Sequence, residues 1–213
     1  MNRLFGEGSS IRQFLAALFD DLLFSVLTLL CSLPLVTAGA AVTALFDVTV
    51  QNAAADGAGA RDFFRSFSAH FKRATLSWAF LLLFGAAVFY GFRLNAACGV
   101  ALRIPLWGLL FLGVWLLLLL VLYLPPTLVS HREERLPTVW KRALHTGIAL
   151  LPRSVLLLLI AAVPFAFYVL LPDIFWYISF LWVFFWPSIA ARAALALLRP
   201  FYPAFSQKTE ETD

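Results

Sequence analysis

The chain of 213 residues is poor in charge: aspartate, glutamate, lysine and arginine make up 13% of it, about half of the share that is usual in a soluble domain. Hydrophobic residues, by contrast, make up 62%. Because a soluble protein of this size could not cover so much apolar surface, we expect lipid to cover the remainder. The composition therefore excludes an ordinary soluble domain and predicts an integral membrane protein.

Side chains that commonly carry catalysis or bind metals are also scarce. The three histidines, His70, His131 and His145, form no H-x-x-x-H or H-E-x-x-H pair, so we expect no metal site. The two cysteines, Cys31 and Cys98, belong to an apolar run and to a short loop, and we expect them to lie too far apart to bond. The chain contains neither a Walker A motif nor G-x-S-x-G. We therefore expect no cofactor and no enzymatic activity.

What the chain does contain is five long apolar runs with almost no charge. A helix that crosses the hydrocarbon of a bilayer needs about 20 apolar residues, and each run reaches or approaches that length. The sequence therefore predicts an all-α fold, a single transmembrane bundle with spans at 22–50, 75–92, 104–124, 154–171 and 174–198. Residues 1–21 and 199–213 are predicted to be an N-terminal tail and a polar C-terminal tail.

The first run is longer than the hydrocarbon requires, and Pro34 interrupts it. Proline removes one backbone hydrogen bond and kinks or breaks a helix. We predict one tilted span that is kinked at Pro34. The sequence leaves one alternative open, a segment that re-enters near Thr37–Gly39.

Small side chains follow Pro34 along the first run. Gly39 and Thr43 lie one turn apart on one face of a helix, with Ala40 and Ala44 beside them. Small residues at this spacing allow two helices in lipid to approach closely. We therefore predict a helix-packing seam here, in preference to a substrate path.

A resemblance to a known family lies in the same region. The stretch CSLPLVTAGAAVTALF, residues 31–46, resembles the signature of the YesL family of bacterial membrane proteins, approximately S-L-P-[IV]-[VT]-T-[IA]-G-A-[AS]-x-T-A-L-[YF]. The segments FFRSF and FKRAT that follow are similar to the family's phenylalanine- and lysine-rich segment. The family has no established biochemical activity, but its members often lie beside carbohydrate importers and glycan-degrading enzymes. The resemblance implies an accessory or transport-related role in carbohydrate uptake at the bacterial cell membrane.

The basic residues are distributed unevenly. If the segments 61–73 and 132–153 and the C-terminal region share the cytoplasmic side, that side holds all sixteen lysines and arginines except Arg3, Arg12, Arg93 and Arg103. Such an excess is typical of cytoplasmic loops. With five spans, the N-terminus is predicted to lie outside and the C-terminus in the cytoplasm. A re-entrant first segment would return the N-terminus to the inside.

Two basic segments, 61–73 and 136–147, show an amphipathic pattern. We predict two cytoplasmic helices in the headgroup plane, with these cations on anionic lipid: Arg61, Arg65, Lys72, Arg73, Lys141 and Arg142. Docking of a partner on these helices is the alternative function, that of a non-catalytic structural or regulatory membrane protein. Because the net charge of +4 comes from loops, we expect no nucleic-acid partner. Self-association into a homo-oligomer, the partner's identity and any substrate are left open.

Two charges lie inside the apolar runs, Asp47 in the first and Arg192 in the last. An ionisable side chain within a membrane is a candidate functional residue. With the N-terminus outside, both would lie at a similar depth near the cytoplasmic side. We predict that they form an ion pair that joins the first and last spans. The alternative is that Arg192 extends to the inner interface by itself.

Overall fold

The computed structural model describes residues 10–54, 58–97, 99–170 and 172–201. Within these residues all regular structure is helical, which confirms the all-α prediction. The α-helices of the described chain are α1 (Ser10–Ser32), α2 (Ala38–Ala54), α3 (Ala60–Ala97), α4 (Val100–Ser130), α5 (Leu136–Ala149), α6 (Leu151–Leu170) and α7 (Pro172–Leu198). Short 3-10 turns occupy Leu35–Thr37 and Arg199–Phe201.

The predicted tails are only partly described. Residues 10–21, predicted to belong to the N-terminal tail, form the first half of α1. Residues 199–201 continue α7 as a 3-10 turn. The rest of both predicted tails, together with Cys98, lies outside the described residues.

Three helices are long and apolar enough to cross a membrane: α3 over Ala60–Asn95, α4 over Leu102–Ser130 and α6 over Leu151–Leu170. Side chains such as Leu83, Leu109 and Leu159 are at least 60% exposed on them, as expected of surfaces that face lipid. The predicted span 174–198 falls within α7, whose described apolar part, Phe184–Leu198, is shorter. The structure thus indicates a membrane protein, with three of the five predicted spans meeting the requirements of length and composition.

The first apolar run is a helical hairpin, and the prediction of one kinked span at 22–50 is wrong. Helix α1 ends at Ser32, Pro34 is extended, and the chain passes through a 3-10 turn before α2 begins. The two helices pack side by side, and Phe24 is buried in the same cluster as Ala44 and Val48. Since only five residues connect them, they must run antiparallel.

Local chemistry explains the break. Pro34 lacks the N–H that a continuing helix needs, and it disfavours the α-conformation of the residue before it. The Thr37 hydroxyl lies 2.6 Å from the carbonyl oxygen of Cys31 and 2.8 Å from that of Pro34, and it can donate its single proton to either. Donation to Cys31 satisfies a carbonyl that the end of α1 leaves free. The chain thus reverses its direction over residues 33–37, next to the Thr37–Gly39 stretch where the sequence left a re-entrant segment open.

Helices α2, α3 and α4 continue the up-and-down order. Trp78 of α3 lies against Gly39 at the start of α2, whereas Ser66 contacts Asp47 further along α2. In the next pair, Gly91 of α3 lies against Leu110 of α4. The end of α2, the start of α3 and the end of α4 therefore meet at one end of the bundle. We call this the basic end, because it carries Arg61, Arg65, Lys72, Arg73, Arg132, Arg135, Lys141 and Arg142.

The segment 61–73 is part of α3 and does not form a separate helix. The residues that follow it, including Ala74 and Leu76, are good helix formers, so nothing ends the helix before the apolar part. Phe63 is fully buried whereas Phe64 is 50% exposed, so the phenylalanines of this segment do not all lie on its buried face. The buried face of this segment packs on α2, and the amphipathic pattern reflects contact with protein.

The second amphipathic segment, predicted at 136–147, is confirmed as a helix, α5, with a proline in its first turn. Its buried residues are Val139, Ala143 and Gly147. A Cβ at Gly147 would lie 3.2 Å from the ring of Tyr123 in α4, so α5 packs closely along that helix. The apolar face of α5 therefore also covers protein.

Candidate functional site

A buried carboxylate lies at the basic end, where α2, α3 and the loop after α4 meet. Asp47 is 0% exposed, and its Oδ2 atom accepts hydrogen bonds from Ser66 Oγ and Arg132 Nη2. His70 Nε2 lies 3.5 Å from the same oxygen. Burial alone penalises a charged carboxylate, whereas His70, Ser66 and the cation of Arg132 all favour its ionised form. We call Asp47, Ser66, His70 and Arg132 the Asp47 cluster.

Close packing of α2 on α3 brings Asp47 to its partners. A Cβ added at Gly39 would lie 2.5 Å from Cβ of Trp78, closer than real side-chain contacts, so the approach of the helices requires glycine there. Ser66 and His70 are one turn apart on α3, and both are buried toward α2. The register set near Gly39 thus places two polar side chains against the Asp47 carboxylate.

The four residues of the predicted packing seam all lie on α2 and are buried: Gly39, Ala40, Thr43 and Ala44. Gly39 meets Trp78 of α3. The Thr43 hydroxyl donates to the Gly39 carbonyl at 2.7 Å and is thus paired within its own helix. Their small size permits the approach just described.

Arg132 comes from the loop between α4 and α5, and this loop is held by Arg73 of α3. The Arg73 guanidinium donates to the carbonyl of His131 at 3.4 Å and also to the carbonyls of Arg132 and Glu134. Glu134 in turn lies 2.9 Å from the guanidinium of Arg142 in α5. Arg73 therefore fixes the backbone from which Arg132 reaches Asp47, and its guanidinium is engaged with protein.

A pocket of about 330 Å³ lies beside the cluster, lined by Asp47, Gln51, Arg65, Ser66, Ala69 and Arg132. The Oδ1 atom of Asp47 is buried and has no hydrogen-bond partner within the described structure. Arg65 lies 2.9 Å from Asp62, so its charge is compensated next to the pocket. The pocket is thus polar, locally neutral, and bordered by an acceptor without a donor.

The predicted Asp47–Arg192 pair is wrong. Arg192 Nε lies 2.8 Å from Oδ1 of Asp21 in α1, whereas Asp47 is paired with Arg132. The prediction treated residues before 22 as a tail and the first run as one span, which removed Asp21 from consideration. Because α1 and α2 form a hairpin, α1 presents Asp21 to α7 while α2 carries Asp47 to the basic end.

The Asp21–Arg192 pair belongs to a polar contact between the first and last helices. Ser25 and Ser188 form a hydrogen bond of 2.9 Å, and the Ser188 hydroxyl also lies 2.9 Å from the Asp21 carbonyl. Asp21 thus pairs with Arg192 one turn from where Ser25 meets Ser188, so α1 and α7 run antiparallel. The predicted link between first and last helices exists, but through a different acid.

The cations predicted to touch lipid headgroups divide into two groups. Arg65, Arg73 and Arg142 are engaged with Asp62, loop carbonyls and Glu134, respectively. The other three are exposed and, within the described part of the chain, have no ion-pair partner: Arg61, Lys72 and Lys141. These three are the better candidates for contact with an anionic surface.

Sequence analysis missed Asp21, Ser66, His70 and Arg132. The spacing of Ser66 and His70 on the buried face of α3 was a usable signal, since two polar residues one turn apart interrupt a phenylalanine-rich face. Arg132 gave no such signal, because it lies in a run of mixed charges. In the described ranges no three histidine, cysteine, aspartate or glutamate side chains lie together so that they could hold a metal ion.

Comparison with known proteins gives a match to a family. The family described as "Protein of unknown function, DUF624" matches residues 19–92, which is less than half of the chain. That range runs from α1 into α3, so it contains Asp47, Ser66 and His70 but ends before Arg132. No curated protein and no solved structure matches the chain.

Proposed function

We propose that this chain is a non-enzymatic, multi-pass protein of the bacterial cell membrane that acts as an accessory component in the uptake of polar solutes. The observation that carries the proposal is the polar pocket that reaches the buried Asp47 at the basic end. An ionisable group enclosed within a membrane protein and bordered by a cavity is typical of a solute or coupling site. Stability alone does not require a buried carboxylate, because replacing a buried ion pair by well-packed apolar residues is often neutral or stabilising.

The finer assignment, to carbohydrate uptake, is supported by likeness. The match to the family of unknown function covers the hairpin and α3, and it is consistent with the resemblance of residues 31–46 to the YesL family. Members of that family often lie beside carbohydrate importers. This support is by association and comes from outside the site itself.

A role without catalysis is supported by the order of contacts in the Asp47 cluster. Serine, histidine and aspartate are present together, but Ser66 donates to Asp47 and not to His70. A serine nucleophile requires a base that takes its proton, and in a triad the histidine stands between serine and acid.

Affinity purification from the native membrane tests the proposal. We expect subunits of a solute importer to be enriched with the full-length protein. A photoreactive residue at Lys141, at the basic end, should cross-link to that partner, whereas one at Arg93, near the opposite end of α3, should not. Recovery of the chain without any importer subunit would contradict the accessory role.

Orientation forms part of the proposal. The hairpin brings the start of α1 to the side on which α2 ends, so the count of five spans that placed the N-terminus outside no longer applies. We propose that the basic end and the N-terminus are both cytoplasmic, which leaves Arg93 and Arg103 as the basic residues near the other end. Cysteine labelling in whole cells should reach residue 104 and not residue 131, and the reverse pattern would overturn this orientation.

A structural or regulatory role through partner docking is the second candidate. It is favoured by the exposed cations Arg61, Lys72 and Lys141 at the basic end, which have no ion-pair partner among the described residues. If that role is correct, replacing all three by glutamine should abolish recovery of the partner. Solute uptake, measured in membranes that lack the partner, should not change. If the accessory role in uptake is correct, substitutions in the pocket should reduce uptake while the partner is still recovered.

A further inference from the structure

The Asp47 carboxylate is unevenly satisfied. Its Oδ2 atom receives donors from Ser66 and Arg132, with His70 nearby, whereas Oδ1 is buried and has no donor within the described structure. A buried acceptor that lacks a donor raises the free energy of the folded state, and native proteins rarely leave one without water or ligand. An additional donor is therefore expected at Asp47.

The adjoining pocket has room for more than a bridging water. Its volume of about 330 Å³ compares with roughly 30 Å³ for one water in the liquid and lies at the small end of ligand pockets, about 300–1,000 Å³. A single small molecule fits this space, whereas an extended polymer does not.

The lining groups require a ligand that both donates and accepts. Asp47 Oδ1 can only accept, the guanidinium groups of Arg132 and Arg65 can only donate, and the amide of Gln51 can do both. A hydroxyl group meets the first two requirements at once, since it can donate to a carboxylate while accepting from a guanidinium. Several hydroxyl groups on one molecule would satisfy several lining groups together.

The local charges favour an uncharged ligand. Arg132 compensates Asp47, and Asp62 lies 2.9 Å from Arg65, so the two acids and two cations around the pocket cancel. An anion or a cation would lose its hydration without finding an unpaired opposite charge. A neutral molecule loses less and gains the same hydrogen bonds.

We propose that the pocket formed by Asp47, Gln51, Arg65, Ser66 and Arg132 binds a small, uncharged polyhydroxylated solute, with one hydroxyl donating to Asp47 Oδ1. The inference deepens the proposed function and rests on it for a biological source of such a solute. Binding by the purified protein is nevertheless independent of any importer, so the two ideas can fail separately.

The test uses full-length protein in lipid nanodiscs and four probes of different charge. Saturation-transfer NMR measures binding of myo-inositol, glycine and putrescine, and phosphorus NMR line broadening measures binding of orthophosphate. We expect saturable binding of myo-inositol and weaker or no binding of the zwitterion, the cation and the anion. Absence of saturable myo-inositol binding, or stronger binding of any charged probe, overturns the proposal.

Two neighbouring amides of α2 provide the variant and its control. Gln51 lines the pocket and Asn52 does not, although both are half-buried. Gln51→Leu should weaken myo-inositol binding about tenfold, as expected when a hydrogen bond to a ligand is lost, while Asn52→Leu leaves it unchanged. Ser66→Ala, which alters the wall from α3, should weaken binding as well. Equal binding by Gln51→Leu and Asn52→Leu would show that the pocket is not the site.

Discussion

The Asp21–Arg192 and Asp47–Arg132 ion pairs differ in the elements that they join, in the burial of the acid and in what lies beside them. Asp21–Arg192 joins two helices, with both partners fixed on α1 and α7 and a serine pair one turn away. Asp47–Arg132 joins a helix to a loop, with the acid fully buried, the arginine side chain 50% exposed, and a polar pocket alongside. A pair that borders a polar pocket is placed to contact a ligand as well, whereas a pair packed between two helices joins those helices.

The strongest test of this contrast is removal of the buried acid. Asp47→Asn leaves Arg132 without its counter-ion, and we expect a loss of about 3 kcal/mol in the free energy of unfolding, at the low end for a broken buried pair because the arginine is half-exposed. Titration with sodium dodecyl sulfate, followed by circular dichroism, measures the change. Asp62→Asn, which breaks the exposed Arg65–Asp62 pair, is the control and should cost less than about 1 kcal/mol.

A double-mutant cycle assigns that loss to the pair. Adding Arg132→Gln to Asp47→Asn should recover part of the lost stability, because no uncompensated charge then remains. Strictly additive losses would show that Asp47 and Arg132 do not interact in solution, and the contrast with Asp21–Arg192 would then disappear.

The loop that carries Arg132 can be released without touching the Asp47 cluster. Arg73→Gln removes hydrogen bonds from a charged donor to three loop carbonyls, and we expect a loss of about 2 kcal/mol. Hydrogen exchange in residues 131–135 should accelerate. Lys72→Gln, the adjacent exposed cation, should change stability by no more than about 0.5 kcal/mol and leave the exchange unaltered. Identical behaviour of the two variants would mean that Arg73 does not hold the loop.

The packing that brings Asp47 to α3 can be tested at Gly39. Gly39→Ala forces α2 away from Trp78 and should destabilise the protein by about 1–2 kcal/mol. Gly108→Ala in α4 meets nothing within 4 Å and should instead stabilise by about 0.5–1 kcal/mol, as alanine does in an open helix position. Opposite signs in the same unfolding assay are the expected result, and a loss at both positions would contradict the close contact at Gly39.

The smallest loss of stability is expected at the Asp21–Arg192 pair. Asp21→Asn removes a pair whose acid is 11% exposed, whereas Asp47 is fully buried, so solvent can compensate more of the loss and we expect about 1 kcal/mol. Myo-inositol binding should be unchanged, in contrast to Gln51→Leu. If Asp21→Asn lowered stability as much as Asp47→Asn, the two ion pairs would be equivalent in stability and the contrast between them would be contradicted.

The apolar helices and the helix α5 can be predicted from short segments of the sequence taken one at a time. Apolar runs at 75–92, 104–124 and 154–171 predict helices that cross a membrane, because length and hydropathy are properties of the segment itself. The helix at 136–149 follows in the same way, with Pro137 in its first turn. The small residues from Gly39 to Ala44 likewise predict a close helix contact, but they do not identify the helix that makes it.

The pairing of charges could not be obtained in this way. Pro34 is compatible both with a kinked continuous helix and with a turn between two helices. Which of them forms depends on whether α1 and α2 pack side by side. That choice decides which acid faces Arg192 and which faces Arg132, and it brings the start of α1 to the basic end. Local patterns of composition and hydropathy are thus enough to predict apolar helices with a basic end. The meeting of Asp47, Ser66, His70 and Arg132 beside a pocket depends on how the helices pack, because Asp47 and Arg132 are 85 residues apart in the chain and no local pattern encodes the distance between them.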